Sequence, residues 1–353
     1  MTIAEPSTPI TRSESPLVVE FPFAGADEGM TPNDRFFIRH HFPVPDVDSQ
    51  SWSVSIEGAV DAPCNITLDA LRALPAVTVS AVIECAGNGR SFIDGFASSV
   101  QWQLGGVGCA TWTGVPLRSV LANVHLHASA VDVVFEGADH GPEHRLPGNP
   151  DIHFARSVPL ATAMRPDVIL AYEMNGRALE PDHGAPLRVI VPGWYGVTSV
   201  KWLSRIFVAS HPFTGFFQSA EYTYWKTEAS GPQRVPVTTL QVKSEIARPY
   251  QGETVEVGVP YRVLGAAWTS DASITSVDVS TDGGHTWSPA TLRGSDAHAW
   301  LPWEFEWIPQ TSCTCTLMAR ATDSAGRVQP MAHDANHENY MVHHVLPIEV
   351  RVT

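Results

Sequence analysis

No run of apolar residues in this sequence approaches the ~20 that a membrane-crossing helix needs. Basic residues are also few: Lys and Arg total 22 against 37 Asp and Glu, a formal net charge of −15. Nucleic acid and anionic membranes recruit basic surfaces, so neither is expected as a main partner. A local arginine cluster can still hold a small anion. Cysteine is scarce: Cys64, Cys85, Cys109, Cys313 and Cys315. An odd count in a chain this long argues against a disulfide scaffold. Cys313 and Cys315 would share one face of a strand and lack a second pair at zinc-finger spacing, so they are read as two small core residues. The N-terminal stretch MTIAEPSTPITRSESPLVVEFP shows neither an apolar signal core nor a twin arginine, so a cytoplasmic location is expected, or a periplasmic one if a leader was removed.

What is present is the composition of a folded protein, 44% hydrophobic and 17% charged. The 28 prolines and 26 glycines, with many Val and Thr, favour strands and loops over long helices. Residues 1–30 are rich in Pro, Ser and Glu and read as an extended arm. In 31–237, "SWSVSIEGAV" (51–60), "AVTVSAVIEC" (76–85), "VDVVFEGAD" (131–139), "DVILAYEMNG" (167–176) and "PLRVIVPGW" (186–194) read as strands. "TLDALRALP" (67–75) reads as a short helix capped by Thr67 and stopped by Pro75, and "GVPLRSVLANV" (114–124) as another. This mixture predicts an α+β domain. Past a linker near 230, residues 238–353 show only short alternating segments separated by turns such as "TDGG" and "DSAG", the pattern of an immunoglobulin-like β-sandwich.

The chemistry concentrates in the first domain. Cys85 ends a buried strand and opens a turn through Gly87, Asn88 and Gly89 to Arg90. A thiolate there is a soft ligand or a nucleophile, and Arg90 favours it by charge; the alternative is a core cysteine closing a strand. Arg39, Arg90 and Arg188 lie beside Gly, Pro or His, and the planar guanidinium suits an oxyanion. The histidine stretches at 40–41, 139–144 and 182–188 lack a metal-binding spacing such as His-Glu-x-x-His. These residue types together point to a cleft for a large anionic cofactor and a small oxyanion.

"ECAGNGR", "FFIRHHFPVP", "AYEMNGRALEPDHGAPLRVIVPGWYGVTSVKWLSRI", "VDVSTDGGHTWSPATL" and "ARATDSAGRVQP" resemble the sulfite oxidase family of molybdenum enzymes, in its haem-free bacterial type, from about residue 30 to 350. The resemblance implies an α+β molybdopterin-binding domain followed by an Ig-like dimerisation domain, a molybdenum–molybdopterin cofactor, and Cys85 as the metal's thiolate ligand. It implies Arg39 and Arg90 at the substrate oxyanion, with Trp102 and Tyr222 as pocket aromatics. It places Phe37, Arg39, His40, His41, Asp139, His183, Arg188, Ser199, Val200 and Lys201 on the cofactor. His40 stands where the family usually has asparagine, and Met341 aligns near an arginine of animal relatives. With no haem segment ahead of the domain, electrons are expected to leave to a separate acceptor, such as a cytochrome. The implied reaction is sulfite to sulfate in a homodimer. A reductase of nitrate or of S- or N-oxides on the same cofactor, a cofactor-free thiol enzyme and a non-catalytic binding protein are the rival readings.

Overall fold

A computed structural model describes residues 8–23, 29–97, 99–294 and 298–353. The first domain runs β1 (Ile10–Glu14), β2 (Leu17–Glu20), β3 (Ile38–Arg39), β4 (Ser53–Gly58), β5 (Cys64–Thr67), α1 (Leu68–Arg72), β6 (Val77–Glu84), β7 (Val107–Pro116), α2 (Leu117–Leu121), β8 (Asp132–Pro142), β9 (Asp151–Pro159), α3 (Leu160–Ala163), β10 (Ile169–Met174), β11 (Arg177–Ala178), β12 (Arg188–Ile190) and β13 (Leu203–Ala209). One sheet has the order β11-β10-β7-β6, with β12 also on β10. A second has the order β5-β4-β13-β8-β9, in which β13 and β4 are parallel.

The helices are shorter than their sequence patterns suggest. Thr67 caps α1 through Oγ1, accepting from the Ala70 amide at 3.2 Å. In the 114–124 stretch, Gly114 to Pro116 instead continue β7 as partners of Ala171 to Ile169, and only Leu117–Leu121 is helical. The stretch read as an arm carries a β1–β2 hairpin. Val18 and Val19 are buried, and β2 pairs β3 so that Val18 lies opposite Arg39. Residues 1–7 and 24–28 of that stretch lie outside the described residues. A single apolar island in a Pro- and Ser-rich text gave no sign of this docking.

A hairpin of β14 (Thr223–Glu228) and β15 (Gly231–Pro236) leads to the second domain. That domain holds β16 (Lys243–Arg248), β17 (Thr254–Val255), β18 (Tyr261–Trp268), β19 (Ile274–Ser280), β20 (Ser288–Pro289), β21 (Thr291–Leu292), β22 (Leu301–Trp307), β23 (Cys313–Asp323) and β24 (Ile348–Val352). Two sheets, β16-β18-β22-β21 and β17-β24-β23-β19-β20, enclose a core of Val263, Val277, Trp303, Leu317 and Val350, the expected sandwich. Cys313 and Cys315 do share a face, with Sγ atoms 2.6 Å apart, but Cys313 is exposed rather than a core residue. Cys315 packs against the sandwich core, while Cys313, opposite Val352 at the start of β23, stays exposed.

The domains share apolar packing. Phe23, Trp268 and Trp300 form one aromatic cluster, and Tyr340 and Met341 belong to the first domain's core. The segment carrying Tyr340 and Met341 therefore crosses back to the turn after Cys85, where the Met341 amide donates to the Ala86 carbonyl at 2.8 Å.

Candidate active site

The strand ends and loops of the first domain meet at a cleft enclosing about 700 Å³ of space open to solvent. Phe37, Arg39, His41, Cys85, Asp139, His183, Arg188, Ser199, Val200, Lys201 and Tyr222 all line it. Residues from six separate segments thus converge on one place.

Cys85 follows the last residue of β6, where alternation in a buried strand delivers a side chain to the sheet's end. Its amide donates to the Gly106 carbonyl at 2.8 Å and its carbonyl accepts from the Asn88 amide at 2.9 Å, fixing the turn. Burial pushes the thiol's pKa up, partly offset by the Gly87 amide, Arg90 and Arg39. Such a thiol is a poor free nucleophile at neutral pH, and a soft metal would stabilise its deprotonated form. Gly87 makes room for an arginine: a Cβ there would lie 2.4 Å from Nη2 of Arg90.

Arg90, His40 and Trp102 do not line the cleft in this geometry. Arg90 is buried beside it, donating through Nε to the Asn339 carbonyl (2.9 Å) and through Nη1 to the Val100 carbonyl (3.0 Å), beneath the Tyr340 ring. Trp102 is fully buried with its ring edge-on to Phe37, so it supports a cleft residue from behind. An aromatic in the core and one in a pocket look alike in sequence. His40 is turned away, with Nε2 3.2 Å from the Asp182 carbonyl and its ring against Trp202. Met341 is buried with φ of 52°, and its neighbour Tyr340 is the residue that meets Arg90 and Tyr222.

One wall is cationic. Arg188 is buried, donating to the carbonyls of His183 (2.9 Å) and Ser199 (3.0 Å), and burial lowers its pKa to about 9. Lys201 donates to the Asp182 carbonyl at 3.0 Å, and burial, then Arg188, pull its pKa well down. Gly184, at φ 98°, lets this lysine pass: a Cβ would sit 2.9 Å from its Cβ. Burial raises Asp139 to about 7 despite Lys201. His183 is lowered to about 4 by burial and Arg188, and its Nε2 lies 3.1 Å from the Asn33 carbonyl.

The opposite wall is aromatic. His41 Nε2 and the Tyr222 hydroxyl share a hydrogen bond of 2.5 Å, and His41 stacks on Phe154. Burial pushes His41 well below its ordinary range and Tyr222 up to about 12, so at neutral pH both are uncharged. Phe154, Asp182 and Trp202 line the cleft without having been singled out in the sequence. Asp182 lay within a quoted motif; Phe154 carries no local signal beyond strand alternation.

The fit to a pyranopterin–metal group is testable on these residues. Nε of Arg188 and Oγ1 of Thr198 are buried without a partner on the cationic side. Buried cations answered mainly by backbone carbonyls suit a phosphate, and a lone soft sulfur across the cleft suits a metal carrying its own organic ligands. Among the described residues no group of three His, Cys, Asp or Glu side chains could hold a metal ion unaided. The donor set fits.

Residues 41–217 match the oxidoreductase molybdopterin-binding domain, and 234–350 the Mo-co oxidoreductase dimerisation domain. The mitochondrial sulfite oxidase of Rattus norvegicus is 35% identical over 85% of this chain and 57% of its own length, so the chain spans under three fifths of that relative. The sulfite oxidase of Arabidopsis thaliana is 34% identical over 85% of this chain and 82% of its own. The nitrate reductase [NADH] of Ulva prolifera is 31% identical over 85% of this chain and 38% of its own. The crystal structure of the sulfane dehydrogenase SoxCD from Paracoccus pantotrophus superposes with a TM-score of 0.81 at 27% identity, covering 96% of this chain and 86% of that one. A thiol-bearing strand end facing buried cations, in a chain matched over both of its domains, places this protein in the sulfite oxidase family of molybdopterin-binding oxidoreductases.

Proposed function

We propose that this protein is a molybdenum-dependent oxidoreductase that converts sulfite to sulfate and passes two electrons to a separate acceptor. The observation that carries this reading is Cys85 in one cleft with Arg39, Arg188, Lys201 and the His41–Tyr222 pair. The balanced reaction takes sulfite and water to sulfate, two protons and two electrons. When bound, the molybdenum cofactor supplies oxygen-atom transfer and accepts the electrons.

The chain's own residues do the rest. Cys85 provides a soft thiolate ligand. Arg188 and Lys201, with His183, would hold a phosphate of the pterin by charge-assisted hydrogen bonds. Arg39 brings positive charge to the oxyanion, and the neutral Tyr222 hydroxyl, aligned by His41, offers a hydrogen bond without adding charge. Phe37 and Phe154 limit water around the anion, which strengthens these contacts. Arg90 acts from just outside the cleft, holding the Cys85 turn against the Tyr340 segment. The sandwich domain is proposed to join two copies of the chain.

Anaerobic stopped-flow on protein of measured molybdenum and pterin content tests the reading. Rapid bleaching of the cofactor's absorbance by micromolar sulfite supports it. Full molybdenum with no bleaching, and reoxidation of the reduced enzyme by nitrate, would establish the reductase reading that the Ulva relative favours. Protein from a cofactor-competent host that carries no molybdenum overturns both.

A further inference from the structure

Arg156, on β9, is fully buried, yet no carboxylate among the described residues pairs with it. Its Nη1 donates to the Phe217 carbonyl and its Nη2 to the Val237 carbonyl, the latter at 2.6 Å, while Nε has no partner. Its guanidinium carbon lies 6.0 Å from the centre of the Tyr222 ring. Burial lowers its pKa to about 10, which leaves it charged at neutral pH. Phe154, two residues earlier on the same face of β9, lines the cleft. Arg156 thus stands one aromatic layer behind the cleft wall.

Both carbonyls it grips belong to segments that fix Tyr222. Phe217 begins a π-helical turn, Phe217–Glu221, that ends at Tyr222, and π-turns are frequent at functional sites. The Val237 amide donates to the Tyr222 carbonyl at 2.8 Å. A neutral donor could satisfy two carbonyls. A cation with no counter-ion is costly to bury unless an anion elsewhere completes the pair. Tyr222 and Tyr340, whose charge would stabilise it, are uncharged at neutral pH, and Tyr222 also lines the cleft, so an anion bound there would complete the pair.

We propose that Arg156 is a positioning residue whose unpaired charge, acting behind Tyr222, selects a doubly charged oxyanion over a singly charged one. This rests on the oxyanion-oxidising reading of the cleft and goes beyond it by assigning the charge discrimination to a residue that does not touch substrate.

The test uses holoenzyme of matched molybdenum content, as wild type, R156M, R156Q and R156K. R156Q keeps an N–H donor to a backbone carbonyl and loses the charge, which covers the case in which R156M does not fold. Dissociation constants for sulfate, a dianion, and nitrate, a monoanion, are read from tryptophan quenching. Coulomb energy is proportional to ligand charge, so the loss factor for sulfate should be the square of that for nitrate, roughly 25-fold against roughly fivefold. R156K should keep the discrimination, and KM for sulfite should rise more than kcat falls. Equal losses for both anions, or R156K behaving as R156Q does, would reduce Arg156 to a backbone clamp and overturn the proposal. Because both probe anions are followed by binding, failure of wild-type protein to oxidise sulfite would count against the functional reading alone.

Discussion

Lys243, in the first strand of the second domain, donates to Glu84 at 3.0 Å, and Glu84 is the residue immediately before Cys85. Both are sealed from solvent. Glu84 also accepts from Trp268 Nε1 at 2.9 Å and from Asn88 Nδ2 at 3.1 Å, and Lys243 reaches Glu245 at 3.2 Å. The candidate metal ligand is therefore anchored by an ion pair that spans both domains. Removing one partner of a buried pair leaves the other charge uncompensated, at a cost of about 3–5 kcal/mol. Lys243→Met should lower unfolding stability by that amount in urea titrations. Glu84→Gln combined with it should recover part of the loss. A loss under about 1 kcal/mol would mean that the pair is not the anchor described here.

Cys85→Ser separates the thiol from the cavity it faces. A hydroxyl is a hard, weak ligand for a metal that prefers sulfur. Pterin should remain on the cationic wall, while sulfite oxidation falls at least about a hundredfold. Pterin fluorescence after denaturation, molybdenum by mass spectrometry and turnover on one sample check this. Unchanged turnover would exclude Cys85 as the ligand.

Arg188→Met tests the other wall. Arg188 holds the His183 and Ser199 carbonyls and has a spare buried Nε, so the variant loses an anion contact and two backbone ties together. Pterin content should drop by tenfold or more, since a charge-assisted contact contributes about 1.5–3 kcal/mol. Arg188→Lys should recover only part, because an ammonium cannot reproduce the guanidinium's fork.

Much of this architecture was legible in the sequence, for a physical reason. β6 and β8 alternate or run apolar, and a turn after a buried strand marks where side chains leave the core, as Cys85 does. On the cationic wall, His183 and Arg188 were named only through the resemblance of the contiguous stretch that carries them, since each alone reads as an ordinary satisfied polar residue. Tyr340, Arg156 and Phe154 were not, since each reaches the site only when separate segments fold together. Arg156 sits in an ordinary strand text, "IHFARSV", where a charged residue reads as solvent-facing. Trp102 erred the other way: its bulk fits a pocket or a core equally well, and the packing of Phe37 decides. The hairpin formed by β1 and β2 was hidden by its composition, because Val18 is buried in a cluster with Phe36, Phe37, Trp102 and Trp112, all distant in the sequence.

Titration of the histidines in and beside the cleft gives the last expectation. Burial lowers His40 to about 3 and His183 to about 4, from an ordinary value of 6.5. A histidine depressed in the folded state binds its proton first in the unfolded chain. Its contribution is therefore whole above pH 6.5 and is lost as pH falls toward the folded value, at about 1.4 kcal/mol per pH unit for each. Asp139 and Glu245, both raised to about 7 by burial, act oppositely: their contribution is whole at low pH and fades as pH rises toward 7. In cofactor-free protein the depressed groups outnumber the raised ones, His41 adding to the first set, so stability should climb between pH 5 and 6.5. His183→Gln should flatten that climb by about 1.4 kcal/mol per pH unit, read from urea unfolding at each pH. An unchanged slope would mean that His183 keeps its proton in the folded protein, and the cationic wall would then carry one more charge than assigned here.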